Sequence, residues 1–402
     1  MCVHSILYCF HHTKTLQKLF ELYRLILPLM NQNSFLFKVF VFIRPVLYPL
    51  ALLYGVLIKL RNKLYDVKFF NSIEFSVPVI CVGNLSTGGT GKTPHIEYLI
   101  ELLNCRYRVA TMSRGYKRMT QGFLLAEQGT NALRIGDEPM QFFMKYPEAV
   151  VCVAEERLTG IPNLLQRRPD VEVILLDDAY QHRSVKAGLN ILITDYSNPF
   201  WEDHILPFGN LREGRESKNR ADVIIVSKCP ANLTKEQAKE IEQKIGAESH
   251  QQVFFTCIEY GTPYYPGSNE VADIKGKNMV LVSGIARPEP LLNFLKPQAG
   301  DVHVLTYPDH HYFVNTDIEE IAAAYNSWTV DNKIIVTTEK DATRLALHAE
   351  AINKLNLPIA VQPIKMSVLF NQANLLDEIV LKYIDRTINE ANDDTVVFEE
   401  IV

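Results

Sequence analysis

Between residues 79 and 93 an apolar run, a glycine-rich loop and a lysine–threonine pair follow one another, and no other stretch restricts the fold as tightly. Val79, Ile80, Cys81 and Val82 read as a buried strand. Ser86, Thr87, Gly88, Gly89, Thr90 and Gly91 form the loop. Lys92 and Thr93 open a segment in which Ile96, Leu99, Ile100 and Leu103 recur at helical spacing, and Pro94 suits its first turn. A strand that passes through such a loop into a helix points backbone N–H groups at a phosphate. In the pattern G-x-x-x-x-G-K-[ST] the lysine reaches the β- and γ-phosphates and the hydroxyl ligates Mg²⁺. The first position here is Ser86 and not glycine, while Gly88 and Gly89 add backbone freedom nearby. The expected ligand is a nucleoside triphosphate held by Ser86, Thr87, Gly88, Gly89, Thr90, Gly91, Lys92 and Thr93.

The remaining pattern sets the fold class. Residues 108–112 give the next strand and close a βαβ unit. Ser113, Arg114, Gly115, Tyr116, Lys117 and Arg118 then fall at a strand's C-terminal end, where α/β ligands bind. The polar turn Gly136, Asp137, Glu138, Pro139 precedes a helix at 140–145, and 149–154 is another apolar strand. A strand at 171–176 ends in Asp177 and Asp178, the form of a Walker B element, and 189–194 and 223–227 add two more. Strands alternating with helices predict a P-loop-type, doubly wound, mostly parallel α/β sheet with helices on both faces. Residues 258–276, rich in Gly, Pro and Tyr, read as a linker. A smaller α/β set follows, with strands at 279–283, 302–307 and 333–338 and helices at 290–295 and 316–328. A chain of 402 residues is long enough for two cores. The expected division is an N-terminal extension (1–34), a membrane-associated helix (35–66), a P-loop domain (67–257), the linker, a C-terminal α/β domain (277–386) and an acidic tail (387–402).

The N-terminal part has a different character. Residues 35–58 are largely apolar, broken by Lys38 and Arg44, and the uncharged run 45–58 covers 14 residues. As a helix that run reaches about 21 Å, short of a hydrocarbon core of about 30 Å. Lys59, Arg61 and Lys63 follow and suit anionic head groups. The expectation is a helix lying in the bilayer interface, with a full span and a core helix as the alternatives. Met30 is the expected natural start. Seven cysteines without a C-x-x-C pair suit reduced thiols, and a net charge of -5 argues against a nucleic-acid partner.

Phosphoryl transfer needs charge neutralisation and positioning more than covalent chemistry. Lys92 would stabilise the transferred group, and Thr93 with Asp177 or Asp178 would hold Mg²⁺. A group that orients or deprotonates an acceptor hydroxyl is also needed. Asp137 is one candidate, though its position equally fits a helix cap. Pro308, Asp309, His310 and His311 form the other; the run resembles a metal cluster, but adjacent ligands on a strand would point to opposite sides. Arg114, Arg118, Arg212 and Arg215 lie in nearby loops and suit phosphates, if they are not simply solvated.

From about residue 42 to 382 the motif series resembles the tetraacyldisaccharide 4′-kinases of lipid A synthesis. Arg44–Pro45, Leu53–Tyr54–Gly55 and Arg61–Asn62–Lys63–Leu64–Tyr65 are similar to that family's N-terminal helix, and residues 83–94 to its P-loop, serine included. Ser113–Arg114–Gly115–Tyr116, Gly136–Asp137–Glu138–Pro139 and the run Asp177 to His182 follow in the family order. So do Leu211–Arg212–Glu213, Ser283–Gly284–Ile285, Pro308–Asp309–His310–His311 and Thr338–Glu339–Lys340–Asp341. Ala179–Tyr180 and residues 207–210 depart from the usual family residues. The resemblance implies transfer of the ATP γ-phosphate, with Mg²⁺, to the 4′-hydroxyl of a tetraacylated disaccharide 1-phosphate. It implies catalytic roles for Lys92, Asp137 and His310, with His310 preferred over His311, and metal ligation by Thr93, Asp177, Asp178 and Glu138. It also implies work on an acylated disaccharide lipid at the cytoplasmic face of a Gram-negative inner membrane; a monomer is a separate expectation. The rival expectation is a membrane-associated P-loop switch ATPase or GTPase acting through protein partners.

Overall fold

The computed structural model describes residues 47–399 apart from Asn269, with side chains through Ala391. The expectations for 1–34, for Met30 and for the start of the first helix lie outside the described residues. Along the chain run α1 (Tyr48–Asp66), β1 (Val79–Gly83), α2 (Lys92–Leu103), β2 (Val109–Ser113), β3 (Leu124–Leu125), α3 (Ala132–Ile135), α4 (Asp137–Lys145), β4 (Val150–Val153), α5 (Arg157–Arg167) and β5 (Val173–Asp177). Then come β6 (Leu189–Asp195), β7 (Val223–Ser227), α6 (Lys235–Ile245), β8 (Gln252–Tyr260), β9 (Asn278–Ser283), α7 (Glu289–Leu295), β10 (Val302–Thr306), α8 (Asn315–Asn326) and β11 (Lys333–Thr338). The series closes with α9 (Glu339–Leu345), α10 (Ala349–Lys354), β12 (Ile359–Gln362), β13 (Ile364–Val368) and α11 (Ala373–Glu399). The chain adopts the expected mostly parallel α/β class. Helix α4 starts at Asp137, three residues before the expected 140, because Asp137 and Glu138 favour a helix N-terminus and Pro139 fits the first turn.

Two compact units form by contact. Of the described residues, the first takes 47–92, 178–257 and 368–399, the second 93–177 and 258–367. In the first unit β1, β6, β7 and β8 lie parallel in the order β8-β7-β6-β1, with Val82 opposite Ile191 and Ile191 opposite Val223. Every residue of β1 is buried, as a strand covered on both faces requires. Helix α1 packs Tyr54 and Ile58 onto Ile205 and Leu206, while Leu52, Leu53, Val56 and Leu60 stay exposed. Among the described residues no helix is long and apolar enough to cross a membrane. From α11, the Tyr383 hydroxyl accepts from Val79 N at 3.0 Å and donates to Val79 O at 3.1 Å, clipping the start of β1.

In the second unit β5, β2 and β4 are parallel and β3 runs antiparallel to β4. Its other sheet has the order β10-β9-β11-β12, all parallel. Alternation along β9 divides two cores: Val280 and Val282 pack with Ile318 and Ile321 of α8, and Met279 and Leu281 with Leu291 and Leu295 of α7. Lys145 at the end of α4 bridges two buried carboxylates, Glu97 of α2 at 2.9 Å and Glu339 of α9 at 2.8 Å. Burial and the charge of Glu339 push the Glu97 carboxyl up to about 7 even with Lys145 beside it. This buried triad ties α4 and α9, the helices that carry the second cluster described below.

Candidate functional site

The first cluster is built on β1. A Cβ at Gly83 would lie 2.7 Å from the Tyr180 Cβ, so only glycine lets the strand pass into the loop. The loop is tied down by Thr87 N donating to Asn210 O at 2.8 Å and Arg212 N donating to Leu85 O at 2.7 Å. Gly88 and Gly91 have φ of 110° and 86°, a region that side chains disfavour. An added Cβ at Gly88 or Gly89 would meet nothing within 4 Å, so open space borders the loop.

At the start of α2, Lys92 Nζ lies 3.2 Å from Asn84 Oδ1 and 3.5 Å from Asp178 Oδ1. Arg212 Nη1 holds both Asp178 oxygens, at 3.0 and 3.1 Å. Gln181 Nε2 donates to Asn84 O at 2.9 Å, linking the loop to the segment after β5. Lys92, Asp178 and Arg212, each singled out from sequence, therefore meet. Arg215 instead donates to Asp203 O at 3.0 and 2.7 Å, and Arg118 pairs with Glu155 at 2.5 Å. Asp177 is buried at the end of β5, and its main-chain oxygen accepts from Arg157 Nη2 at 3.0 Å. Thr93 and the carboxylates at 177 and 178 are hard oxygen donors of the kind Mg²⁺ takes, usually one or two carboxylates with substrate phosphates and water completing the octahedron. That chemistry and the open space at Gly88 and Gly89 fit a magnesium-bound nucleotide. Among the described residues no group of three His, Cys, Asp or Glu side chains gathers as a metal site.

The second cluster lies wholly in the second unit. Asp137, at the first position of α4, accepts from Arg344 Nη2 at 2.7 Å and pairs with His310 Nδ1 at 2.8 Å, both through Oδ2. Its Oδ1 is buried and finds no hydrogen-bond partner among the described residues. Lys340 Nζ stands 3.1 Å from His310 Nε2. An ammonium can only donate, so Nε2 accepts and the imidazole proton sits on Nδ1, directed at Asp137. His310 has φ 59° and is flanked by Tyr116, edge to face at 5.3 Å. The neighbouring histidine turns elsewhere: His311 Nε2 meets Asp317 at 2.7 Å and its ring stacks on Tyr307. Glu138 and Asp309 lie 3.3 and 3.6 Å from Lys340 Nζ.

Burial alone would raise the Asp137 carboxyl, but the hydrogen bonds from His310 and Arg344 and the guanidinium charge outweigh it and hold it at about 2. A depressed acid adds stability that is complete above its unfolded value, near 3.8, and is lost as pH falls through the folded one. By pH 3 this group should have lost about 1 kcal/mol of its contribution. Urea unfolding between pH 5 and 3 should therefore show a steeper acid loss for the wild type than for Asp137→Asn.

Sequence reasoning missed Arg344 and gave Lys340 no role. Arg344 is 0% exposed, bound to Asp137 and, at 3.1 Å, to Asp341. Its signal was available: an arginine one helical turn after the aspartate of Thr338–Glu339–Lys340–Asp341. Replacing it by methionine strips a cation from two buried carboxylates, and a loss of about 3–5 kcal/mol in chemical denaturation is expected.

A family model described as Tetraacyldisaccharide-1-P 4′-kinase matches residues 43–385. The chain is 46% identical over 323 residues to the tetraacyldisaccharide 4′-kinase of Flavobacterium johnsoniae, spanning 80% of this chain and 91% of the relative. It is 43% identical over 335 residues to that of Bacteroides thetaiotaomicron, spanning 80% and 88%. A crystal structure of LpxK from Aquifex aeolicus in complex with ATP superposes with a TM-score of 0.67 at 28% identity, covering 85% of this chain and 99% of that one. These likenesses favour a kinase over the switch-ATPase rival.

Proposed function

Because the chain belongs to the tetraacyldisaccharide 4′-kinase family, we propose that it moves the γ-phosphoryl of ATP to the 4′-hydroxyl of a tetraacyldisaccharide 1-phosphate, the step that yields lipid IV-A. The 4′-oxygen bonds to the γ-phosphorus and the bond to the β–γ bridging oxygen breaks. ADP departs with that electron pair, and the hydroxyl proton passes to Asp137. Lys92 neutralises charge on the transferred group, beside the loop Ser86 to Gly91. Thr93 with Asp177 and Asp178 would hold Mg²⁺, which supplies further neutralisation of the phosphate oxygens.

The observation that carries this reading is the state of Asp137. Its Oδ2 is clamped by His310 and Arg344, while Oδ1 is buried and unclaimed, an acceptor fixed in place. A carboxylate held near 2 is a weak proton sink. In a loose phosphoryl-transfer transition state, however, the acceptor needs orienting more than early deprotonation. His310, with Nδ1 on the clamped oxygen, keeps Asp137 in register. The test is transfer of label from γ-labelled ATP to tetraacyldisaccharide 1-phosphate in detergent micelles, with the product phosphate mapped to the 4′ position. ATP hydrolysis without lipid labelling would return the switch-ATPase reading.

A four-chain lipid stays in its bilayer, so the enzyme would work at the cytoplasmic surface of the inner membrane. The exposed apolar face of α1 supports this: Leu53 is 59% and Val56 63% exposed, with the exposed Lys59 and Lys63 along the same helix, whereas Arg61 turns onto Gln181 O and Glu213. Each such side chain is worth about 1.5–3 kcal/mol when buried. The double substitution Leu53→Glu/Val56→Glu should cut co-sedimentation with anionic vesicles at least about tenfold. Activity on lipid in dilute detergent should change far less.

A further inference from the structure

A loop that wraps an anion turns its N–H groups inward, and its carbonyls must then find donors on the outer side. Two consecutive carbonyls of the glycine-rich loop find theirs at one place, the C-terminal end of β7. Ser227 Oγ donates to Thr90 O at 2.6 Å, and Lys228 Nζ donates to Gly89 O. Ser227 is fully buried, and Gly91 passes close to the Lys228 stem, where an added Cβ would lie 3.6 Å from Cε. The lysine is itself seated: Nζ pairs with Asp195 Oδ2 at 2.9 Å, and Asp195 Oδ1 accepts from Ser197 N at 2.8 Å and Ser197 Oγ at 2.7 Å. Pairing of β6 with β7 sets Asp195 opposite Ser227, which fixes donor and counter-ion on adjacent strand ends. Lys228 has φ 56°, a conformation that a lysine disfavours and that persists where the surroundings enforce it.

From this arrangement we infer that Lys228, with Ser227, is a positioning residue of the nucleotide site: the pair holds the Gly89 and Thr90 carbonyls outward, so the loop's backbone is fixed in its phosphate-facing shape before ATP arrives. The inference rests on the reading that residues 86–93 bind ATP. Preorganisation of this kind acts in binding, because it removes the ordering cost that the ligand would otherwise meet.

The experiment is calorimetric titration of the full chain with ATP and Mg²⁺, alongside steady-state kinetics and melting curves, for wild type, Lys228→Met, Asp195→Asn and Lys92→Ala. Methionine keeps the stem and removes the ammonium. Lys228→Met should weaken ATP binding about tenfold and raise KM for ATP by a similar factor, with kcat within about threefold of wild type. Asp195→Asn, which loosens the seat of the lysine and leaves it present, should move Kd and KM the same way by about threefold. A merely structural role would lower the melting temperature without separating KM from kcat. If Lys92→Ala weakens ATP binding while Asp195→Asn and any folded Lys228→Met protein bind within about twofold of wild type, this inference is wrong and the loop reading stands. If Lys92→Ala itself leaves ATP binding unchanged, the loop reading is what fails.

Discussion

Lys92→Ala should lower lipid phosphorylation by about a thousandfold, measured as label transferred from ATP in micelles. The expected size follows from what the side chain faces. Its ammonium is held by Asn84 Oδ1 and Asp178 Oδ1 at the mouth of the loop, so it meets the phosphates with its position already set. A cation fixed in advance stabilises charge that spreads over the γ-oxygens only as the transition state forms. The substitution should leave the fold intact, because Asp178 keeps its pair of contacts with Arg212. A melting temperature close to wild type with activity gone is thus the expected combination. Retained activity would remove Lys92 from the chemistry.

Asp137→Asn should lower kcat by about 10² to 10⁴ and leave KM for ATP nearly unchanged. Asparagine is the informative replacement. Alanine would also strip one of the two carboxylate partners of Arg344, which is completely buried, leaving only Asp341 beside it. An asparagine oxygen still accepts from Arg344, so a folded variant isolates the missing negative oxygen. Strong loss of ATP affinity in Asp137→Asn would move the residue into the nucleotide site and end its role with the acceptor hydroxyl.

Much of this was legible because the sequence carries local signals where the structure depends on local physics. The strand at 223–227 and the strand at 333–338 are contiguous apolar runs and need no partner to be recognised. The loop at 86–91 announces itself by its glycines. Helix α6 was overlooked although Thr234 and Gln237 form a capping box, since its buried face amounts to Ala238 and Ile245 and gives little apolar rhythm. Helix α5 was missed for a different reason: Pro162 sits inside it and reads as a breaker. The contacts between remote residues were the least legible. Asp137 meets Arg344 across 207 positions, and Lys228 reaches Gly89 across 139. Charge and spacing cannot predict such pairs, because the sheet order that joins them is settled by the whole chain.

The Tyr383 clip on β1 carries a consequence for how the molecule is made. The strand that presents the glycine-rich loop receives its hydroxyl partner from a residue 304 positions downstream. At roughly 5–20 residues per second, a ribosome needs about 15–60 s to add that length of chain. During that interval the nascent loop is complete in sequence while the start of its strand still lacks the closing contact. The helix that begins at Ala373 is therefore a late-arriving seal on a strand made long before it.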